Sequence, residues 1–188
     1  MKEGSLEAPT RHALLWKNDQ FYDEEACIDE LERIFDICHG CRRCVSLCNS
    51  FPTLFDLIDE GESGELDSVD VTDYWKVVDQ CYLCDVCYLA KCPYVPPHPW
   101  NLDFPHTMLR AKAIQFKKGT RNKTRDTILS NTSANGKLAS IPVVTETINF
   151  ATDNKTLRSA GEKIAGVHKS AWLPKFTKKT FEKNFEIS

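Results

Sequence analysis

Eight of the nine cysteines lie in two short runs, CHGCRRCVSLC from Cys38 to Cys48 and CYLCDVCYLAKC from Cys81 to Cys92. The spacings are C-x2-C-x2-C-x3-C and C-x2-C-x2-C-x4-C. Three thiolates separated by two residues each can wrap three corners of a [4Fe–4S] cube, while the fourth corner is filled from elsewhere. The chemistry of such a site is one-electron transfer. Where two runs of this kind share a chain, the last cysteine of each ligates the other cluster. The expected sets are therefore Cys38, Cys41, Cys44 and Cys92 for one cluster, and Cys81, Cys84, Cys87 and Cys48 for the second. All eight are metal-binding residues on this reading, and no residue is assigned a catalytic role. Only the second run is followed by proline, Pro93; Asn49 stands at that place in the first. The exchange alters a turn and removes no ligand.

Other uses of the cysteines fit less well. A zinc site needs four ligands, commonly two C-x2-4-C pairs, so the third cysteine of each run is surplus to it. A disulfide framework belongs to oxidising compartments, and the opening MKEGSLEAPTRHALLWKNDQ carries no apolar core or cleavage site of a secretory leader. Cys27, alone in EEACIDELERIF, reads as a small buried hydrophobe. His39 has four cysteines beside it and is expected to donate a hydrogen bond near a sulfur, not to ligate. Arg42 and Arg43 either raise the potential of the adjoining cluster or face solvent or an acidic partner. Leu47, Leu83, Val86 and Leu89 are expected to line the sites and limit water, and Asp85 to lower a potential.

The elements that must hold these residues read as helices. Asp23 is placed to cap a helix with Ala26, Ile28, Leu31, Ile34 and Phe35 at helical spacing, leading directly into Cys38. Phe51, Leu54, Phe55 and Ile58 repeat the pattern after Cys48, and DEGESGELDSVD reads as a loop. Asp73 or Thr72 is expected to open a helix through Tyr74, Trp75, Val77 and Val78 into the second run. YVPPHPW reads as extended. A further helix is expected from near Pro105 to Lys118, with proline suited to a first turn. His98 and His106 flank this stretch as loop hydrogen-bonders or proton handlers. Trp16 and Trp75 read as core or interface anchors, and Trp100 as a partner contact. No strand-like alternation of useful length occurs. The fold class expected is all-α, an α-helical ferredoxin with two [4Fe–4S] clusters and a partly helical C-terminal extension.

Charge divides the chain. Residues 1–109 hold 8 Lys/Arg and 21 Asp/Glu, whereas residues 110–188 hold 16 and 6. An acidic cysteine-bearing half and a basic extension suggest docking to partner proteins, because complementary charge accelerates encounter. The expected organisation is an N-terminal arm at 1–22, a cluster domain at 23–119 and a basic linker or extension at 120–188. No run approaches the ~18 apolar residues of a membrane span.

Beyond the cysteines, the stretches FDICHGCRRC, SFPTLFDLID, CPYVPPH and NLDFPH carry a resemblance. Over roughly residues 11–120 the chain resembles the iron–sulfur subunits of the family that includes anaerobic glycerol-3-phosphate dehydrogenase and heterodisulfide reductase; residues 137–183 look like the linker of longer members. The resemblance implies an α-helical ferredoxin domain similar to the second domain of the succinate dehydrogenase iron–sulfur subunit, and an electron-relaying role. Longer members continue into modules with a paired Cys-Cys motif, and no cysteine follows Cys92 here. The chain is thus expected to be a split subunit or a fragment. No Gly-rich dinucleotide fingerprint is present.

The function expected is electron transfer within an oxidoreductase complex, between a flavoprotein dehydrogenase subunit and a Cys-rich acceptor subunit or quinone-linked module. The expected location is the cytoplasm or, through partners, the inner face of the cell membrane. A structural iron–sulfur module supporting protein or nucleic-acid binding is the second reading, and cluster assembly or transfer the third. The tail interleaves Lys175, Lys178, Lys179 and Lys183 with Phe176, Phe181 and Phe185. Such a pattern can meet single-stranded nucleic acid or an anionic membrane. Docking to a protein subunit is favoured, with no nucleic-acid partner.

Overall fold

Local capping and apolar spacing account for the first helix of the computed structural model, which describes residues 7–179. Asp23 accepts a hydrogen bond from the Ala26 amide at 3.2 Å and so starts α1 (Glu24–Cys41). Glu24 and Glu25 put negative charge on the first turn, where the helix dipole favours it. Cys27, Leu31, Ile34 and Phe35 share one face and are fully buried. The helix does not stop before Cys38; it runs to Cys41. It ends at Arg42, whose backbone takes a left-handed φ of 49° and whose amide donates to the Cys38 carbonyl at 2.8 Å.

The second helix, α2 (Ser50–Asp59), buries Phe51, Leu54, Phe55 and Ile58, the face expected from their spacing. Pro52 lies in its first turn, where no intrahelical amide is needed. The Ser50 hydroxyl donates to the Val77 carbonyl at 2.7 Å and ties α2 to α3 (Tyr74–Asp79). The turn that opens into α3 is capped by Asp70, which accepts from the Thr72 amide at 2.7 Å. Asp73 stands at the N-cap position of α3, as expected, but its backbone is already helical and its side chain makes no capping bond; the carboxylate pairs instead with Lys76 at 2.8 Å. The stretch Tyr94–Trp100, expected to be extended, is instead a chain of turns and bends, closed by bonds from the His98 amide to the Val95 carbonyl and from the Asn101 amide to the His98 carbonyl, both at 2.9 Å. Asp103 accepts from the His106 amide at 3.0 Å to begin α4 (Phe104–Lys118), with Pro105 in the first turn and Gly119 closing the end at φ 73°.

These four helices enclose one core. Phe35 meets Tyr74 edge-on at 5.2 Å between ring centroids, and Phe51 stacks on Phe104 at 4.7 Å. Arg110, on α4, donates to the carbonyls of Phe21, Gln20 and Asp23 and holds the 3-10 turn Asp19–Tyr22 against the helix.

The chain forms two compact units, Met1–Thr120 and Arg121–Ser188. In the second, α5 (Lys123–Ser130), α6 (Thr132–Ala139) and α8 (Lys155–Ala165) start on asparagine caps at Asn122, Asn131 and Asn154. Between the last two, α7 (Pro142–Asp153) starts on a proline. Among its described residues only Ala139 and Thr145 are fully buried, while Val143, Phe150, Ile164 and Trp172 lie mostly exposed. The described residues include no strand, and none of their helices is long and apolar enough to cross a membrane.

Phe51→Ala is expected to lower the unfolding free energy of the first unit by about 3–5 kcal/mol, as truncation of a buried aromatic does. Urea denaturation checks this, and a loss below about 1 kcal/mol would contradict the packing described.

Candidate metal centre

Two cavities form where the cysteine runs meet the helical core. Cys38 and Cys41 project from the last turn of α1, Cys44 from the turn that follows, and Cys92 from the end of a π turn, Cys87–Lys91. These four cysteines line the first, with Arg43, Phe51, Phe55 and Tyr94 among its walls. Cys48, Cys81, Cys84 and Cys87 line the second, with Leu47, Phe51, Val86 and Phe104. Each cavity takes three cysteines from one run and the fourth from the other. A third space, lined by Cys38, Cys44, Cys87 and Cys92, lies between the runs. Phe51 borders all three. Among the described residues, no group of three or more His, Cys, Asp or Glu side chains is disposed to hold a metal ion.

Burial shifts four of these thiols. The Cys38 thiol is pushed well above its ordinary value, first by burial and then by Cys92, Cys44 and Cys41. Burial also raises Cys87, helped by Cys44, Cys81 and Cys48. Cys81 and Cys92 are raised by burial too, against the backbone donors Leu83 at Cys81 and Tyr94 and Val95 at Cys92. The Tyr94 hydroxyl is hydrogen-bonded to Cys41. All nine cysteines are free, and Cys84 is the exposed one. Cys27 lies in the core with its thiol pushed up to about 11 by burial, which makes it inert.

The neighbours of the first run diverge. Arg42 turns away from the sulfurs to fork onto Asp59 at 2.7 and 2.5 Å, and a further N–H meets His39 Nδ1 at 2.9 Å. His39 Nε2 lies 3.3 Å from Glu65. Arg43 stays on the wall of the first cavity. The equal treatment of the two arginines in the sequence reading therefore gives way to two environments.

Around the second run the expected apolar lining divides: Leu47 and Val86 border the second cavity, whereas Leu83 and Leu89 do not. Leu83, Val86 and Leu89 are 37%, 45% and 68% exposed, and Tyr82 joins them at 68%; Leu47 is half-buried against the core. Leu83 and Asp85 both adopt left-handed φ, 56° and 61°, so sequence periodicity does not map onto one buried side. Each such residue costs about 1–2 kcal/mol without glycine's freedom. Nor is Asp85 a lone negative charge. Arg11 donates to it at 2.7 and 3.0 Å.

Arg11, Tyr94 and Phe51 are the site residues that the sequence reading passed over or assigned only to the core. Phe51 was legible as apolar, and Tyr94 lies beside Pro93, but Arg11 sits 74 positions from Asp85 and offers no local signal. His98 is buried and its Nδ1 accepts from the Trp100 amide at 3.1 Å; His106 Nδ1 lies 3.1 Å from Asp103. Trp16 is well exposed, Trp75 packs half-buried on the core, and Trp100 is partly exposed against Tyr94. In the tail, Lys175 pairs with Asp153 at 2.8 Å, Lys178 with Glu146, and the Phe176 amide donates to Asn149 at 3.0 Å. Phe181, Lys183 and Phe185 lie outside the described residues. No family model, curated protein or solved structure matches the chain.

Hydrogen bonding from Arg42 holds the Asp59 carboxyl below its usual range. A carboxylate lowered on folding stabilises above its unfolded value, about 3.9, and that contribution is lost as pH falls through the lowered folded value. Asp59→Asn is therefore expected to flatten the acid limb of the stability–pH curve below about pH 4. Urea midpoints taken across that limb provide the check; curves that superimpose would remove the role given to the Arg42 fork.

Proposed function

We propose that this chain is an electron-transfer iron–sulfur subunit that holds two [4Fe–4S] clusters. Cys38, Cys41, Cys44 and Cys92 would hold one, and Cys48, Cys81, Cys84 and Cys87 the other. The observation that carries the reading is the exchange of fourth cysteines between two neighbouring cavities. The pattern of C-x2-C-x2-C runs demands that exchange for cubane sites, and nothing in a helical core otherwise favours it.

Bound clusters supply reversible one-electron redox chemistry. The residues of the chain do the rest. Phe51, Phe55 and Phe104 keep water from the inner sides of the sulfurs. Amides after Cys81 and Cys92, with the Tyr94 hydroxyl, donate to sulfur and set how favourable added negative charge is. Cys84, set among Tyr82, Leu83, Val86 and Leu89 on the surface, gives a partner a near approach to the second site. The partners we infer are a flavoprotein dehydrogenase subunit and a Cys-rich or quinone-linked acceptor, in keeping with the family that the motifs resemble.

Anaerobic reconstitution of the wild type is expected to give about eight irons per chain, and Cys92→Ser to disturb the cluster that also uses Cys38. In that variant the iron count should fall towards about four while one dithionite-reducible paramagnetic signal persists. Full iron with both signals in Cys92→Ser would sink the crossed ligand sets. Wild-type protein lacking acid-labile sulfide would sink the clusters altogether.

A further inference from the structure

We propose that Thr10, Arg11 and His12 form a strap that positions the Cys81–Cys87 loop, with Arg11 as its positioning residue. This rests on the second cavity being a cluster site. Arg11 donates to both carboxylate oxygens of Asp85, at 2.7 and 3.0 Å, and to both of Asp103, at 2.9 and 3.0 Å. Asp85 directly follows Cys84, and Asp103 caps α4. One guanidinium therefore joins the cysteine loop to the start of a core helix. It also lies 4.3 Å above the ring of Tyr88, the residue after Cys87. The Tyr88 hydroxyl donates to the Thr10 carbonyl, the Thr10 amide donates to Pro96 at 3.0 Å, and His12 Nε2 meets Asn101 at 2.9 Å.

The loop has need of such a hold. Residues 81–85 belong to no helix or turn, and two of them, Leu83 and Asp85, hold left-handed backbone without being glycine. Conformations of that kind persist only where surrounding contacts over-determine them. The planar guanidinium fork suits two carboxylates at once, which a lysine ammonium cannot reproduce. The Arg11 and Asp103 side chains are only 26% and 18% exposed, so the pairing is better sheltered than an ordinary surface bridge. The same contact offsets part of the negative charge of Asp85 next to Cys84, one cation being shared between two carboxylates. Left unpaired, that carboxylate would oppose addition of an electron nearby.

The test compares wild type, Arg11→Ala and Arg11→Lys in the full chain. Amide exchange over 81–92 should accelerate at least about tenfold in Arg11→Ala, the factor carried by loss of one charge-assisted hydrogen bond. Exchange over 36–48 should stay unchanged, and Arg11→Lys should fall between. The midpoint potential of one of the two iron–sulfur signals should drop in Arg11→Ala and recover in Arg11→Ala/Asp85→Asn. Exchange that is unaltered at 81–92, or equally faster in both segments, overturns the strap; an unmoved potential overturns the charge offset by Arg11. If the wild type carries no iron or labile sulfide, the cluster reading alone has failed, and the exchange comparison still decides the strap.

Discussion

The stacking of Phe51 on Phe104, 4.7 Å between centroids, is the contact through which the two cysteine runs share a location. Phe51 follows Cys48 by less than one helical turn, and Phe104 opens the helix that comes after Cys92. Drawing these rings together drives the exit of each run against the other. Phe35, tilted on Phe104 at 6.3 Å and edge-on to Tyr74 at 5.2 Å, carries the contact into α1 and α3. Aromatic burial of this kind is worth several kcal/mol per ring. It holds in place a site in which Cys38, Cys81, Cys87 and Cys92 resist ionisation mainly because they are buried.

Much of this scaffold was legible because burial has a period. The faces Leu31–Ile34–Phe35 and Phe51–Leu54–Phe55–Ile58 follow from spacing alone, as do the Asp23 cap and the Pro105 start. The grouping of the cysteines about two cavities was legible from their spacing in the two runs. What escaped belongs to two physical classes. One is local conformation with no period: the extension of α1 to Cys41, the left-handed Arg42, Leu83 and Asp85, and the π turn at Cys87–Lys91. Side chains that a regular pattern would bury, such as Leu89, emerge at the surface there. The other class is long-range electrostatics. Arg11 finds Asp85 and Asp103, and Arg42 finds Asp59, through tertiary proximity that no sequence window contains.

The second unit is built on a different balance. Its helices are well capped, yet few of its described side chains are buried and several large apolar ones face outward. Capping and hydrogen bonds between distant segments, such as those of Asn149 with Phe176, hold its shape. Helices this short gain little from propensity alone, so their stability depends on the modest packing between α6, α7 and α8.

Exposure of Cys84, alone among the nine cysteines, has a consequence for how the protein ages. A sulfur that water can touch is also open to dioxygen and alkylating agents, whereas a buried one is shielded. Damage in air would begin at that sulfur and reach the less exposed Cys38 later, so the two cavities would not lose their cysteines in step.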